Sequence, residues 1–302
     1  MNHKQLGETA IEIPEIGLGT WDYRAGPEPL RAGLEAGALF IDTAESYGSE
    51  PVVAEAIRGC RESVFLATKV SRQHLRRADV FAAAEQSLRQ LRTDWIDLYQ
   101  IHQPNPAVPL EETLNAMEEL ADAGKVRFIG VSNFSVSELE RARQAMRKYP
   151  IVSNQVRYNI ADRSIEGGLL AYCQAHHITV IAYSPLGREL QRLYDCDSRG
   201  ILKQIARELG KSVAQVALNW CLCHNGVVVI PKGNSIAHVL DNCGVSGWRL
   251  STEQFRQLDE GVLSRRRTGL DSLLRRLVPG GAAPFLKKCI RRLPRSLRRQ
   301  LN

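Results

Sequence analysis

The sequence predicts an α/β chain folded as a closed (β/α)8 TIM barrel, with an N-terminal β-hairpin cap and a basic C-terminal tail. Three observations lead there. Eight short, apolar, β-branched segments recur along the chain, as strands buried on both faces should. Helical patterns fall between them, and most units take about 25 to 30 residues, the length of one βα repeat. An open doubly wound sheet would instead need a phosphate-binding glycine turn after its first strand. "GLGTWD" has two glycines, no third at the right spacing, and no helix beginning there.

Taken in order, "KQLGETAIEIP" reads as a hairpin turning at Gly7-Glu8, placed to cap the barrel's bottom. The strands follow at 15–20, 39–44, 64–70, 95–102, 126–133, 151–158, 178–185 and 227–231. Helices are expected at 78–91, 110–125 and 135–146. The last opens with Ser135 and Glu138 at capping-box spacing, so that each side chain can satisfy a backbone N–H of the first turn. The barrel is expected to occupy 1–263 and the tail 264–302.

Composition supports a globular enzyme: 44% of residues are hydrophobic and 24% charged. No run of about 18 apolar residues suggests a membrane span, and "MNHKQLGETAIEI" has no apolar h-region of a secretory leader. The seven cysteines are odd in number and scattered, and read as reduced thiols. A cytoplasmic setting is the expectation. Charge divides the chain in two. From Ser264 onward there are twelve Lys/Arg and one acid, Asp271, which leaves 28 bases and 32 acids in the first 263 residues.

Barrel chemistry belongs at the C-terminal ends of the strands. There the sequence delivers Asp42, with Tyr47 just beyond, then Lys69, then His102, from three consecutive strands. Each alone has an ordinary explanation; four together at one rim point to a site. A phenol titrates near about 10 and is a weak acid at neutral pH. An ammonium beside it would favour the phenolate, and a carboxylate would keep that ammonium charged in a buried place. The expectation is therefore an Asp42–Lys69–Tyr47 chain that lowers the phenol's value, with His102 orienting the oxygen that faces it. Such a set suits giving a proton to a carbonyl oxygen as a hydride reaches its carbon.

Seven segments carry a family resemblance: "GALFIDTAESYG", "LATKV", "DLYQIHQP", "GKVRFIGVSNF", "NQVRYN", "AYSPLG" and "VVVIPKG". In order and spacing they resemble the motifs of aldo-keto reductases, over about residues 4 to 262. The resemblance implies a barrel that reduces aldehydes and ketones with NADPH and no metal. Tyr47 would be the general acid, Lys69 and Asp42 would tune it, and His102 would position the carbonyl. It also implies that Ser132, Asn133 and Gln155 hold the nicotinamide carboxamide and that Tyr183 stacks on the ring. Ser184, Leu186 and Gly187 would line the pyrophosphate, with Gly19 and Thr20 nearby. Lys232 and Asn234 would approach the 2′-phosphate, and Asp241 and Asn242 the adenosine end.

Departures from the family pattern matter. His238 stands where many members carry an Arg, and Gly233 where a hydroxyl residue is common, which leaves NADH as a second donor. Gln103 stands where Trp is common, giving a small-molecule carbonyl one polar wall opposite Trp21. The segments "SRQHLRRADV" and "GRELQRLYDCDSRG" read as brief loops around an open mouth. A nicotinamide-binding regulatory or sensor subunit of the same fold, with little turnover, is the rival function. The tail leaves three readings open: a mobile or loosely docked segment, an amphipathic helix on an anionic membrane surface, or contact with an acidic partner.

Overall fold

Residues 1–264 are described by the computed structural model, and Met1–Ser264 is one compact unit. From Arg265 on, the expected tail and its membrane or acidic-partner contacts lie outside the described residues. A short antiparallel hairpin comes first, β1 (His3–Gln5) and β2 (Glu12–Pro14). Its turn is centred on Gly7–Glu8, where the Thr9 N–H donates to the Leu6 carbonyl at 3.1 Å.

Eight parallel strands follow: β3 (Leu18–Gly19), β4 (Phe40–Asp42), β5 (Phe65–Val70), β6 (Ile96–Ile101), β7 (Val126–Ser132), β8 (Ile151–Arg157), β9 (Thr179–Tyr183) and β10 (Val227–Val229). Each pairs with its sequence neighbour. The ring closes where β10 meets the residues leading into β3, through a parallel bridge between Ile16 and Val229. The Gly17 N–H donates to the Val229 carbonyl at 2.8 Å and the Gly19 N–H to that of Pro231 at 3.1 Å. Glycine is required at this seam: a Cβ on Gly19 would lie 2.6 Å from the Ile230 carbonyl oxygen. The first strand is shorter than the expected 15–20 because this seam is made by isolated bonds.

Helices pack outside the ring: α1 (Glu28–Glu35), α2 (Glu50–Ala56), α3 (Arg77–Leu91), α4 (Leu110–Asp122), α5 (Val136–Ala145), α6 (Leu169–Ala175), α7 (Leu190–Cys196), α8 (Ile201–Leu209), α9 (Val213–Leu222), α10 (Ile236–Cys243) and α11 (Thr252–Gly261). The capping box opening α5 forms as expected, with Ser135 and Glu138 each satisfying the other's backbone N–H. Helix α4 ends three residues before the expected 125, because Gly124 adopts a positive φ of 73° and turns the chain toward β7. The segment after β9 is no plain loop: it holds α7, whose first residue reaches the cavity described below. Among the described residues no helix is long and apolar enough to cross a membrane, and six cysteines are free thiols.

Two layers of core result. One lies between strands and helices; the other fills the ring's lower interior with Phe40, Phe65, Ala67, Leu98, Val152, Ile181 and Val228. Leu6 and Ile13 of the hairpin join that interior layer, fully buried, and so plug the end where the strands begin. Polar chemistry is left to the opposite end. Leu6→Ala should therefore open a cavity in this plug and cost about 3 kcal/mol, read as a lower urea midpoint. An unchanged midpoint would mean that the hairpin seals nothing.

Candidate active site

Asp42 ends β4, and its backbone carbonyl accepts from both the N–H and the hydroxyl of Thr20 on the adjoining strand, each at 3.0 Å. One strand further, Lys69 points into the ring and is fully buried. Its Nζ donates to Asp42 Oδ1 at 2.6 Å and to the Thr43 carbonyl at 2.7 Å. The other carboxylate oxygen, Oδ2, accepts from Gln155 Nε2 at 2.7 Å and from Gln100 Nε2 at 3.3 Å. Tyr47 ends a one-turn 3-10 helix, Glu45–Tyr47, directly after β4. Glu45 ties that turn to the loop after β5, accepting from the Ser71 N–H and meeting His74 Nδ1 at 3.0 Å. His102 follows β6, still joined to β5 through its N–H to the Val70 carbonyl.

These elements bring Tyr47 Oη within 3.4 Å of His102 Nε2, with the Lys69 ammonium 5.1 Å from the phenol ring's centroid. Burial lowers the Lys69 value, while the Asp42 charge and hydrogen bond oppose that loss. Burial, with a smaller contribution from Lys69, also lowers His102, to about 4, so the imidazole is neutral at ordinary pH. The expected lowering of Tyr47 is not what the geometry gives. Burial first, then the Asp42 charge, holds the phenol above its ordinary value. The ammonium is aimed at Asp42 and Thr43 rather than at the phenol oxygen. Tyr47 is thus held in its protonated form at ordinary pH.

The rest of the expected site collects around one cavity of about 450 Å³. Its wall includes Gly19, Thr20, Trp21, Asp42, Tyr47, His102, Gln103, Ser132, Asn133, Gln155, Tyr183, Ser184, Leu186, Lys232, Asp241 and Asn242. Lys69 supports this wall from beneath. Gly187 lies just off it, closing a turn through its N–H to the Ser184 carbonyl. Asn234 lies off it too, with its Oδ1 accepting from the Arg24 N–H at 3.3 Å. Asn133, at a φ of 63°, donates to the His102 carbonyl and to Ser132 Oγ, and accepts from the Tyr183 hydroxyl at 2.9 Å. Hydroxyl and amide groups, which can both donate and accept as the partners of a carboxamide must, thus lie around a flat aromatic ring.

Lys232 Nζ donates to the Asp22 carbonyl at 3.1 Å and lies 3.6 Å from its carboxylate. His238 lines the cavity beside it. Gly233 has a steric reason: a Cβ there would come within 2.5 Å of Val239 Cγ2, so packing of α10 excludes a larger residue unless Val239 shifts. Sequence reading missed Arg188, Leu190 and Ala214 on the wall. The first two sit in the segment taken for a brief loop, and Ala214 arrives on α9, far from any strand end. Arg188 lies over the Trp21 ring at 4.8 Å, so the walls after β3 and β9 touch. Among the described residues, no three metal-ligating side chains gather.

A closed α/β barrel with a Tyr–His pair over a buried Asp–Lys pair defines a barrel protein with acid–base equipment at its C-terminal rim. A model of the aldo/keto reductase family matches residues 15–262, and the chain belongs to that family. It is 38% identical over 272 residues to the methylglyoxal reductase YeaE of Escherichia coli (strain K12), covering 86% of this chain and 95% of that protein. With the glyoxal reductase of Bacillus subtilis (strain 168) it shares 36% over 255 residues, 82% of this chain and 89% of that one. The crystal structure of an aldo/keto reductase from Klebsiella pneumoniae in complex with NADP and acetate matches with a TM-score of 0.80 at 38% identity, covering 88% of this chain and 97% of that one.

The His102 value carries a pH consequence. An unfolded chain takes up this proton below about 6.5, whereas the folded one resists until about 4. The stability that neutral His102 contributes is full above about 6.5 and is lost as pH falls through that window. Melting temperatures measured between pH 7 and pH 4 should fall more steeply for the parent protein than for His102→Gln. Parallel curves would contradict the burial of a neutral imidazole.

Proposed function

We propose that this protein is an oxidoreductase reducing small aldehydes and ketones to alcohols, with NADPH as hydride donor and Tyr47 as proton donor. The observation that carries this reading is the Tyr47–His102 approach over the Asp42–Lys69 pair, on the same cavity wall as Ser132, Asn133, Gln155 and Tyr183. When bound, the dihydronicotinamide supplies the hydride that reaches the carbonyl carbon. Tyr183 offers its ring face, and Ser132, Asn133 and Gln155 the polar contacts that fix which side of the ring faces substrate.

His102, neutral, presents a single ring N–H, and as the tautomer protonated at Nε2 it directs the carbonyl oxygen toward the phenol. As that oxygen gains negative charge, its basicity rises above that of a phenolate, and the Tyr47 proton passes to it. The O–H bond of Tyr47 breaks, a new O–H bond forms on the product, and Tyr47 is left as phenolate. Lys69, kept charged by Asp42, sits under the ring where that charge appears. A phenol with a raised value suits this order, since the proton leaves only once a strong base has formed. Trp21 gives the substrate an apolar wall and Gln103 an amide. The methylglyoxal and glyoxal reductases among the relatives direct attention to small 2-oxoaldehydes.

Tyr47→Phe should lower turnover of methylglyoxal by roughly a hundredfold or more, with NADPH affinity held within about twofold. Unchanged turnover would remove Tyr47 from the acid role. Tight NADPH binding by the parent protein, with no oxidation across a panel of aldehydes and ketones, would favour a regulatory or sensor subunit. At the 2′-phosphate end, Lys232 with His238 makes a weaker grip than a guanidinium, which can bind bidentately. His238→Arg should therefore raise the preference for NADPH over NADH by roughly tenfold, measured as the ratio of dissociation constants. No change in that ratio would place the phosphate elsewhere.

A further inference from the structure

Arg157 ends β8 beside Tyr183 at the end of β9, and the two are direct partners in the parallel register. The Arg157 guanidinium carbon lies 5.7 Å from the centroid of the Tyr183 ring. Tyr183 lines the cavity and Arg157 does not, so the cation covers the side of the ring turned from the cavity. Arg157 Nε is buried and has no hydrogen-bond partner among the described residues. The ring is not free to swing from this neighbour, because its hydroxyl is anchored on Asn133, itself bound to the His102 carbonyl.

We propose that Arg157 is a positioning residue that acts through Tyr183 to favour the reduced, neutral nicotinamide over the oxidised, cationic one. This rests on the nicotinamide reading of the cavity. An aromatic face attracts cations through its quadrupole, and a cation already on one face draws that electron density toward itself. The face turned to the cavity is left poorer. A neutral dihydronicotinamide loses little there, whereas a ring carrying a positive charge loses attraction and meets a like charge across the tyrosine. Hydride transfer converts the first ring into the second, so the same residue eases release of the spent cofactor. An uncharged side chain at 157 would pack beside Tyr183 without this discrimination.

The test is the ratio of affinities, not activity. NADPH and NADP+ are titrated separately against tryptophan fluorescence of the full chain for the parent, Arg157→Met and Arg157→Lys. Arg157→Met should tighten NADP+ relative to NADPH by about fivefold, while Arg157→Lys keeps the parental ratio within about twofold. Equal weakening of both cofactors in Arg157→Met would reduce Arg157 to a structural support and overturn the proposal. If that variant fails to fold, Arg157→Gln carries the same expectation, since it removes the charge and keeps a polar end. Failure of the parent itself to bind either nucleotide is distinguishable, and would overturn both this proposal and the reading beneath it.

Discussion

A carboxylate and an ammonium taken out of water together constrain the upper half of this barrel. Removing both ions from solvent is costly, and their attraction offsets the cost only if the remaining hydrogen-bonding capacity is satisfied. Two of the three Lys69 N–H donors are taken by Asp42 Oδ1 and the Thr43 carbonyl, and Asp42 Oδ2 has the amides of Gln155 and Gln100. Those partners come from β4, β5, β6 and β8, so the pair is satisfied only when four strands are in register. The same requirement fixes the floor on which Tyr47 and His102 stand. A fold that failed to close would leave a charge without its partners.

Closure and polarity of the barrel are linked. The hairpin fills the strand-starting end with Leu6 and Ile13. Inward-facing residues toward the other end become amides, a lysine and a carboxylate, and the space above them stays open as the cavity. Rigidity below and openness above follow from one gradient of side-chain polarity along the strands. Loops complete the wall: Glu45 binds the Tyr47 turn to the segment after β5, and Arg188 meets Trp21 across the mouth.

Electrostatics at the rim run opposite to a simple reading of neighbouring charges. Proximity of an ammonium suggests a phenol made more acidic, yet the phenol is held above its ordinary value by burial and by Asp42. An ammonium committed to a carboxylate at 2.6 Å is, seen from Tyr47, half of a neutral pair. In the mechanism we propose, its value to the phenolate appears only after the proton has left, when a new charge forms beside it. The distinction is between tuning a resting group and stabilising a developing one.

Much was legible in one dimension. Hydrophobic periodicity and repeat length gave eight strands with helices between them, because strands buried on both faces are predominantly apolar. Asp42, Lys69, His102, Ser132, Gln155 and Tyr183 could be placed at or beneath one cavity because each sits on or next to a strand's end, at the open end of the barrel. Other facts needed the tertiary structure. Ala214 reaches the cavity from a second-layer helix, and Arg188 and Leu190 from a segment whose short helix has no strong pattern. Gly233 is explained by Val239 on a neighbouring helix, and the Tyr47 value by burial and by the direction in which Lys69 points. Alternation and spacing record which face of an element is buried. Depth, direction of a side chain, and competition among partners depend on three-dimensional distances, which no local pattern encodes.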